Sequence, residues 1–563
     1  PSRTSENEAH MQNKNEWWPG AIIYQIYPRS FYDSNGDGVG DLPGVTAKLD
    51  YVASLGVDAI WLSPFFLSPM RDFGYDVADH CAVDPIFGTL QDFDRLSARA
   101  HALGLKVMTD LVCGHTSDQH PWFRDSRAGR QQERSDWYVW ADAKPDGTPP
   151  CNWLSVFGGS AWSWEPRRRQ YYLHHFLASQ PSLNLRHREV IEALLETARF
   201  WLGRGVDGFR LDAIDFLLHD QALRDNPPRA LPGGLPPAKP FGLQQHLYDM
   251  MQEEPHALIE RLRTLADSHP GTLLLGEVSS QDGAYGRIAR YTGRSGLHLA
   301  YTLRPMRSGD AGEALGAALG EIAAVGEGEG VCWAFSNHDV ERAASRWAAA
   351  GEAAAPNSAG VRLFMALLLS LKGALCVYQG EELGLGEAAL AAEQLRDPFG
   401  IAYFPEFRGR DGSRTPIPWD GDAAHGGFTE GEPWLPVPPA HRAAGVARQE
   451  ADPRSPLRAW RRLVAWRNTH PALIRGDLTL LDLPAPLVGF TRSADDERLL
   501  LIFNPSARAV RIDAASLPEM TPLGDHGFAA LVDGAAAVLP PYGALIASVE
   551  SAALEKAPKL AAG

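Results

Sequence analysis

Between Ala21 and about Gly380 the chain alternates two hydrophobic patterns: short apolar runs rich in β-branched and aromatic residues, and longer stretches in which apolar positions return every three or four residues. The first pattern predicts strands and the second amphipathic helices, so their regular exchange predicts parallel strands joined by crossover helices. Eight runs qualify as strands: AIIYQIYP (21–28), DAIWLSP (58–64), KVMTDLV (106–112), VDGFRLD (206–212), TLLLGEV (272–278), LHLAYT (297–302), VCWAFSN (331–337) and GALCVYQG (373–380). Glu189 to Leu202 shows the helical pattern, with Val190, Ile191, Leu194, Leu195, Ala198, Trp201 and Leu202 on one face.

Eight parallel strands close into a (β/α)8 TIM barrel or open into a doubly wound sheet. YPRSFYDSNGDG follows the first run, with no glycine-rich dinucleotide fingerprint, so the barrel is preferred. After a helix over 453–468 the pattern changes to short alternating runs with turn signals (LTLLDL, LVGFTRS, RLLLIFNP, AVRIDA, ALIASVE), which predict an antiparallel β-sandwich. The fold class is thus α/β, a (β/α)8 barrel carrying an inserted subdomain after strand three and a C-terminal antiparallel β-sandwich. The barrel takes 17–115 and 185–475, the inserted subdomain 116–184, a Pro-rich insertion after strand four 216–250, and the sandwich 476–563. Residues 1–16 read as an N-terminal extension in which His10 and Met11 resemble a cloning junction.

Composition narrows the partners. Lys and Arg number 53 against 69 Asp and Glu, a net charge of −16, so nucleic acid and anionic membranes meet repulsion. The apolar stretch Leu363 to Leu371 is far shorter than the roughly 20 residues that a membrane span needs. Cys81, Cys113, Cys151, Cys332 and Cys376 are scattered without a CxxC pair, which fits neither a disulfide framework nor a zinc site and suits the cytoplasm. A monomer or homodimer acting on a small molecule is expected.

A barrel builds its active site where strands end, which singles out the carboxylates Asp212, Glu277 and Asp339 behind three apolar runs. Paired carboxyl groups are what glycosidic cleavage requires, roughly 5 to 5.5 Å apart in retaining enzymes. Arg210, two residues before Asp212 and on the same strand face, is expected to keep Asp212 ionised, while Glu277 needs a less compensated, partly desolvated setting to hold a proton.

DLVCGHTSD (110–118), GFRLDAID (208–215), LLGEV (274–278) and FSNHDVER (335–342) resemble the four signature regions of the α-amylase superfamily. QIYPRSFYDSNGDGVGD, SPMRDFGYDVADH, QPSLN and GRDGSRTPIPW resemble its α-glucosidase and oligo-1,6-glucosidase branch. The resemblance implies that Asp212 is the nucleophile, Glu277 the acid/base and Asp339 the carboxylate that fixes the sugar. It further implies that His115 and His338 bond the innermost glucose, that Asp72 and Tyr75 grip its non-reducing end, and that a salt bridge from Asp72 closes the pocket behind it. Arg410 and Arg414 both stand in GRDGSRTP as partners for that bridge, and Arg410 is taken; Asp110 is read as structural. A closed pocket implies exo-action. Ala213 after the nucleophile resembles the small residue that goes with α-1,4 rather than α-1,6 linkages, so the expected reaction is release of α-glucose from short α-1,4-glucosides such as maltose, with α-glucosyl transfer to alcohol or sugar acceptors.

No organic cofactor is expected. Asp33, Asn35, Asp37 and Asp41 with the Val39 carbonyl place oxygen donors at alternate positions, as one structural Ca2+ or Mg2+ would require; Gly44 at the twelfth position excludes an EF-hand. Two positions depart from the family pattern: Gly114 stands where Asn is usual and Ser182 where Asp is usual. Rival readings within the branch are a sucrose hydrolase and a trehalose synthase. The non-enzymatic transporter heavy chain that shares the barrel predicts a membrane span and lost carboxylates, and neither is found in this sequence.

Overall fold

The computed structural model describes residues 16–231, 237–252, 257–280, 282–326, 330–347, 359–513, 517–528, 530–533 and 536–550. The His10–Met11 junction lies outside them, as does part of the Pro-rich insertion. Eight parallel strands form the central sheet: β1 (Ile22–Ile26), β2 (Ala59–Leu62), β3 (Lys106–Leu111), β4 (Gly208–Leu211), β5 (Leu273–Val278), β6 (Leu299–Thr302), β7 (Cys332–Ala334) and β8 (Ala374–Tyr378). Their order is β6-β5-β4-β3-β2-β1-β8-β7, and a parallel bridge from Ala300 to Val331 joins the two edges into a barrel.

Alternation along the strands sorts the side chains. Inward positions carry Ile23, Ala59, Trp61, Met108, Leu273, Leu275, Leu299, Cys332, Ala374 and Cys376, which pack as a core inside the barrel. Outward positions such as Ile22, Tyr24, Ile60, Val107, Phe209 and Leu274 belong to the larger core beneath the helices. Helix α1 (Arg188–Leu202) contributes Val190, Ile191, Leu194, Leu195, Ala198 and Trp201 to it. Moving two residues up a strand keeps the inward face, so Met108 leads to Asp110, Leu275 to Glu277, and Gly208 to Arg210 and then Asp212. The inner face thus turns from apolar to charged at the C-terminal end of the barrel.

Between β3 and α1, a three-stranded antiparallel sheet (Trp140–Ala141, Trp162–Glu165, Gln170–Leu173) encloses its own small core around Trp153 and Trp162. Bridges from His115 to Ser182 and Tyr138 to Leu183 fasten it above the barrel. The described part of the segment after β4 holds little beyond short 3-10 turns and is tied down by Asn152, which bonds the backbone of Asn226 and accepts from the Gln244 side chain.

The C-terminal part is antiparallel: β9 (Asp477–Leu480), β10 (Val488–Ala494), β11 (Glu497–Phe503), β12 (Val510–Asp513), β13 (Met520–Pro522), β14 (Leu531–Asp533), β15 (Ala536–Leu539) and β16 (Ala544–Val549) make sheets β9-β10-β11-β16-β13 and β12-β15-β14. Strand β11 shows how it docks: Leu499, Leu501 and Phe503 join the core of the barrel helices, while Leu500 and Ile502 face the second sheet.

Candidate active site

Arg210 organises the charged end of the barrel. It points inward from β4, fully buried, and its guanidinium bonds Asp110 at 2.6 Å, Asp212 at 2.7 Å and Glu277 at 2.5 Å. Register explains the set: Asp110 stands opposite Arg210 on β3, Leu275 opposite it on β5 with Glu277 two residues on, and Asp212 two residues above it on β4. The Tyr301 hydroxyl accepts from the same guanidinium at 2.9 Å, and Trp61 stacks on it at 5.0 Å while donating to Asp110.

This arrangement corrects the expected division of charge. Arg210 serves three carboxyl groups, so burial prevails over it at Asp212 and raises that pKa. Glu277 is not uncompensated, since it also accepts from the Ala213 amide at 3.2 Å. Its desolvation nevertheless exceeds the pull of Arg210, and its pKa is pushed up to about 8. Asp110, equally buried, is pushed up to about 7.

Asp339 has the opposite balance. It lies in the loop after β7, its amide bonded to the Asn337 side chain. Burial works against its carboxylate, but His338 and the guanidinium groups of Arg410, Arg414 and Arg210 outweigh it and hold the pKa well below the usual range. Arg410 reaches Asp339 at 3.2 Å and Arg414 reaches it at 2.8 Å. Only Arg410 also pairs with Asp72, at 2.7 Å, and with Asp397 at 2.8 Å, whereas Arg414 turns to the His338 carbonyl. Arg410 is therefore the partner of Asp72.

His338 and Tyr75 stack with ring centroids 5.3 Å apart and planes 2° from parallel, and Tyr27 also stacks on the imidazole at 5.7 Å. Gln25 bonds His338 Nδ1 at 2.8 Å, leaving Nε2 buried without a hydrogen bond, as is the Tyr75 hydroxyl. His115 Nε2 donates to the Tyr75 carbonyl at 3.0 Å, and burial lowers its pKa to about 4 and that of His338 to about 3, so both rings are neutral at pH 7. Gln180, which the sequence reading did not single out, donates to Asp72 at 3.0 Å and stands 3.3 Å from His115. It begins the QPSLN motif, which is where a signal for it lay. Asp397, in the long loop after β8, had none.

Ala213 follows Asp212 in a left-handed conformation (φ 43°, ψ 52°). This turn aims its amide at Glu277 and its methyl at Phe216 and Met250. At the two departures from the family pattern, a Cβ on Gly114 would stand 3.7 Å from the Leu217 side chain, and the Ser182 hydroxyl is buried without a hydrogen bond.

In loop 33–41 the oxygen donors expected for the cation bond their own loop. Asp33 spends both oxygens on the amides of Asn35, Gly36 and Gly38 and the Thr429 hydroxyl; Asp37 accepts from Val39 and Asn35, and Asp41 from Ser34 and Gly44. Among the described residues, no three His, Cys, Asp or Glu side chains come together to hold a metal ion. No helix among them is long and apolar enough to cross a membrane.

A (β/α)8 barrel with carboxyl groups gathered at the C-terminal ends of its strands, one of them held protonated near neutral pH, defines a glycosidase-type site. Comparison with known proteins makes the class specific: residues 25–476 match the alpha-amylase catalytic domain, and the chain belongs to that family. A probable alpha-glucosidase of Rhizobium meliloti (strain 1021) is 48% identical over 545 residues, covering 94% of this chain and 97% of that protein. An oligo-1,6-glucosidase of Heyndrickxia coagulans is 36% identical over 540 residues, covering 88% and 94%. Among solved structures, the alpha-glucosyl transfer enzyme XgtA is 50% identical with a TM-score of 0.91, covering 95% of this chain and all of that one. The protein is an enzyme of the glycoside hydrolase kind.

Proposed function

We propose that the protein is an exo-acting retaining α-glucosidase that releases α-glucose from short α-1,4-glucosides such as maltose and transfers the glucosyl group to alcohols or sugars when these compete with water. The observation that carries the reading is the pair Asp212 and Glu277, on neighbouring strand ends and held by one guanidinium. Each has a distinct task in a two-step displacement.

Asp212 attacks the anomeric carbon as the glycosidic bond breaks; burial raises its pKa, and the positive charge of Arg210 opposes that rise without cancelling it. Glu277, protonated near neutrality, donates its proton to the departing oxygen. It then accepts one from the incoming water or acceptor hydroxyl, which returns the glucose with its original configuration. Asp339, held anionic by two arginines, bonds the sugar hydroxyls and opposes the positive charge that develops on the ring. The Tyr75 hydroxyl, buried without a hydrogen bond, and His338 Nε2, which lies 3.4 Å from Asp339 without a hydrogen bond, are groups that a sugar hydroxyl can satisfy. The Asp72–Arg410 pair walls off the far end of the pocket, which supports cleavage of single terminal glucose units. No step runs through the metal expected at loop 33–41, and no organic cofactor enters.

Ala213 supports preference for the α-1,4 linkage, and the name of XgtA supports transfer. Initial rates on maltose, isomaltose, sucrose and trehalose test the substrate. The reading expects maltose to have the highest kcat/KM and, with p-nitrophenyl α-glucoside as donor, glucose release to lag behind aglycone release when an alcohol is abundant. Higher kcat/KM on isomaltose would remove the linkage assignment to Ala213, and equal release of glucose and aglycone at every acceptor concentration would remove transfer.

A further inference from the structure

Beside the loop that carries Asp72 lies a cavity of about 830 Å3 lined in part by Arg71 and Phe73, to which none of Asp212, Glu277 and Asp339 contributes. Its wall includes Arg29, Arg71, Phe73, Arg396, Ile401 and Trp434. Three arginines around one cavity are out of keeping with a chain of net charge −16.

Arg29 is the decisive residue. Only 7% exposed, its guanidinium is stacked by Trp434 at 5.1 Å, Phe73 at 5.4 Å and Phe87 at 5.7 Å. Yet Nε is buried without a hydrogen bond, and the guanidinium forms no ion pair among the described residues. A largely buried guanidinium ordinarily meets a carboxylate or carbonyl, as those of Arg210, Arg410 and Arg414 do here, whereas that of Arg29 meets neither among the described residues and its Nε alone is shut off from water. Ring faces compensate a guanidinium in part but accept none of its in-plane N–H bonds. Asp84 and Asp37 are the acidic groups whose fields reach it, without contact. Of the other two arginines, Arg71 makes a half-exposed pair with Asp118 at 3.2 Å, and Arg396 is exposed and forms no ion pair among the described residues. Both can turn toward a ligand at little cost.

We propose that this cavity is a second binding site, separate from the carboxylate pocket, for a small organic oxyanion such as a phosphate ester, with its charged end on Arg29 and the two outer arginines and its apolar body against Phe73, Trp434 and Ile401. An oxyanion satisfies the guanidinium in its own plane, where charge-assisted bonds are strongest.

The test uses the whole enzyme and phenyl phosphate, followed by 31P NMR in phosphate-free buffer at ionic strength fixed with NaCl. The proposal expects saturable broadening of the phenyl phosphate signal, with inorganic sulfate binding more weakly because it reaches only the arginines. Arg396→Ala, at an exposed position that does not endanger folding, weakens binding by about tenfold, the loss of one charge-assisted contact. Arg29→Met abolishes binding without lowering the melting temperature measured in anion-free buffer, since it removes an unpaired buried charge and keeps apolar bulk against the rings. Absence of binding to the parent enzyme, or equal binding to the parent and Arg396→Ala, would overturn the site. Sulfate binding as tightly as phenyl phosphate would overturn the assignment of an organic ligand.

Discussion

Arg410 holds the pocket wall by charge, and replacing it with Met removes the charge while keeping much of the side chain's bulk. Three carboxylates depend on it: Asp72 at 2.7 Å, Asp397 at 2.8 Å and Asp339 at 3.2 Å. Asp339 retains Arg414, so the loss falls on Asp72 and Asp397, both buried. Removing one partner of a buried pair costs about 3–5 kcal/mol because the other charge is stranded in a poor solvent. Burial by itself would raise the Asp397 pKa, but Arg410 outweighs it and brings the value from 3.8 down to about 2. Its contribution to stability is therefore fully present above pH 3.8 and is lost as pH falls through about 2. In Arg410→Met burial acts unopposed, the folded-state pKa rises above its unfolded value, and a proton relieves the stranded charge. The stability gap between parent and variant is thus widest near neutral pH and narrows toward pH 4. Urea unfolding at pH 7 and pH 4.5 measures both, and Asp397→Asn added to the variant recovers part of the loss. A gap under about 1 kcal/mol at pH 7, or one that does not narrow on acidification, refutes the reasoning.

Three further outcomes are expected. With Glu277 as the acid and its pKa pushed to about 8, kcat/KM is sustained below that pH and falls above it; Glu277→Gln removes this limb and at least about 100-fold of the rate on maltose. Gln180→Leu takes a donor from Asp72 and a neighbour from His115, raising KM for maltose about tenfold while changing kcat far less, as steady-state kinetics would show. Ala213→Val forces a β-branched side chain into φ 43°, ψ 52° and lowers stability by about 1–2 kcal/mol in urea unfolding, whereas Ala213→Gly does not.

Much of the scaffold can be read from the chain because strands buried on both faces give continuous apolar runs. All eight barrel runs contain a strand, but they overshoot at the ends: 331–337 yields only Cys332–Ala334, since the run continues into the loop that presents Asp339. Strands β13 and β14, three residues each, and β15, four residues, escape notice because so few positions display no period. The carboxylates were legible through strand ends and motif resemblance. Which arginine meets Asp72 was not, because Arg410 and Arg414 are four residues apart and their directions depend on how the loop folds over Asp397. The protonation of Glu277 was legible only as a requirement, since burial rather than any neighbour in sequence raises it. In loop 33–41 the alternation of oxygen donors suits both ion ligands and turns that bond their own amides, and the amide bonds are present.

The central claim concerns the stereochemistry at the anomeric carbon and the residue that attacks it. Proton NMR of p-nitrophenyl α-glucoside hydrolysis, in which the transferred sugar is the one glucose released, distinguishes them directly when recorded before mutarotation mixes the anomers. The account predicts that α-glucose appears first and that Asp212→Asn, folded and still able to bind maltose, releases none at a detectable rate. Newly released β-glucose, or turnover by Asp212→Asn approaching that of the parent, would contradict it.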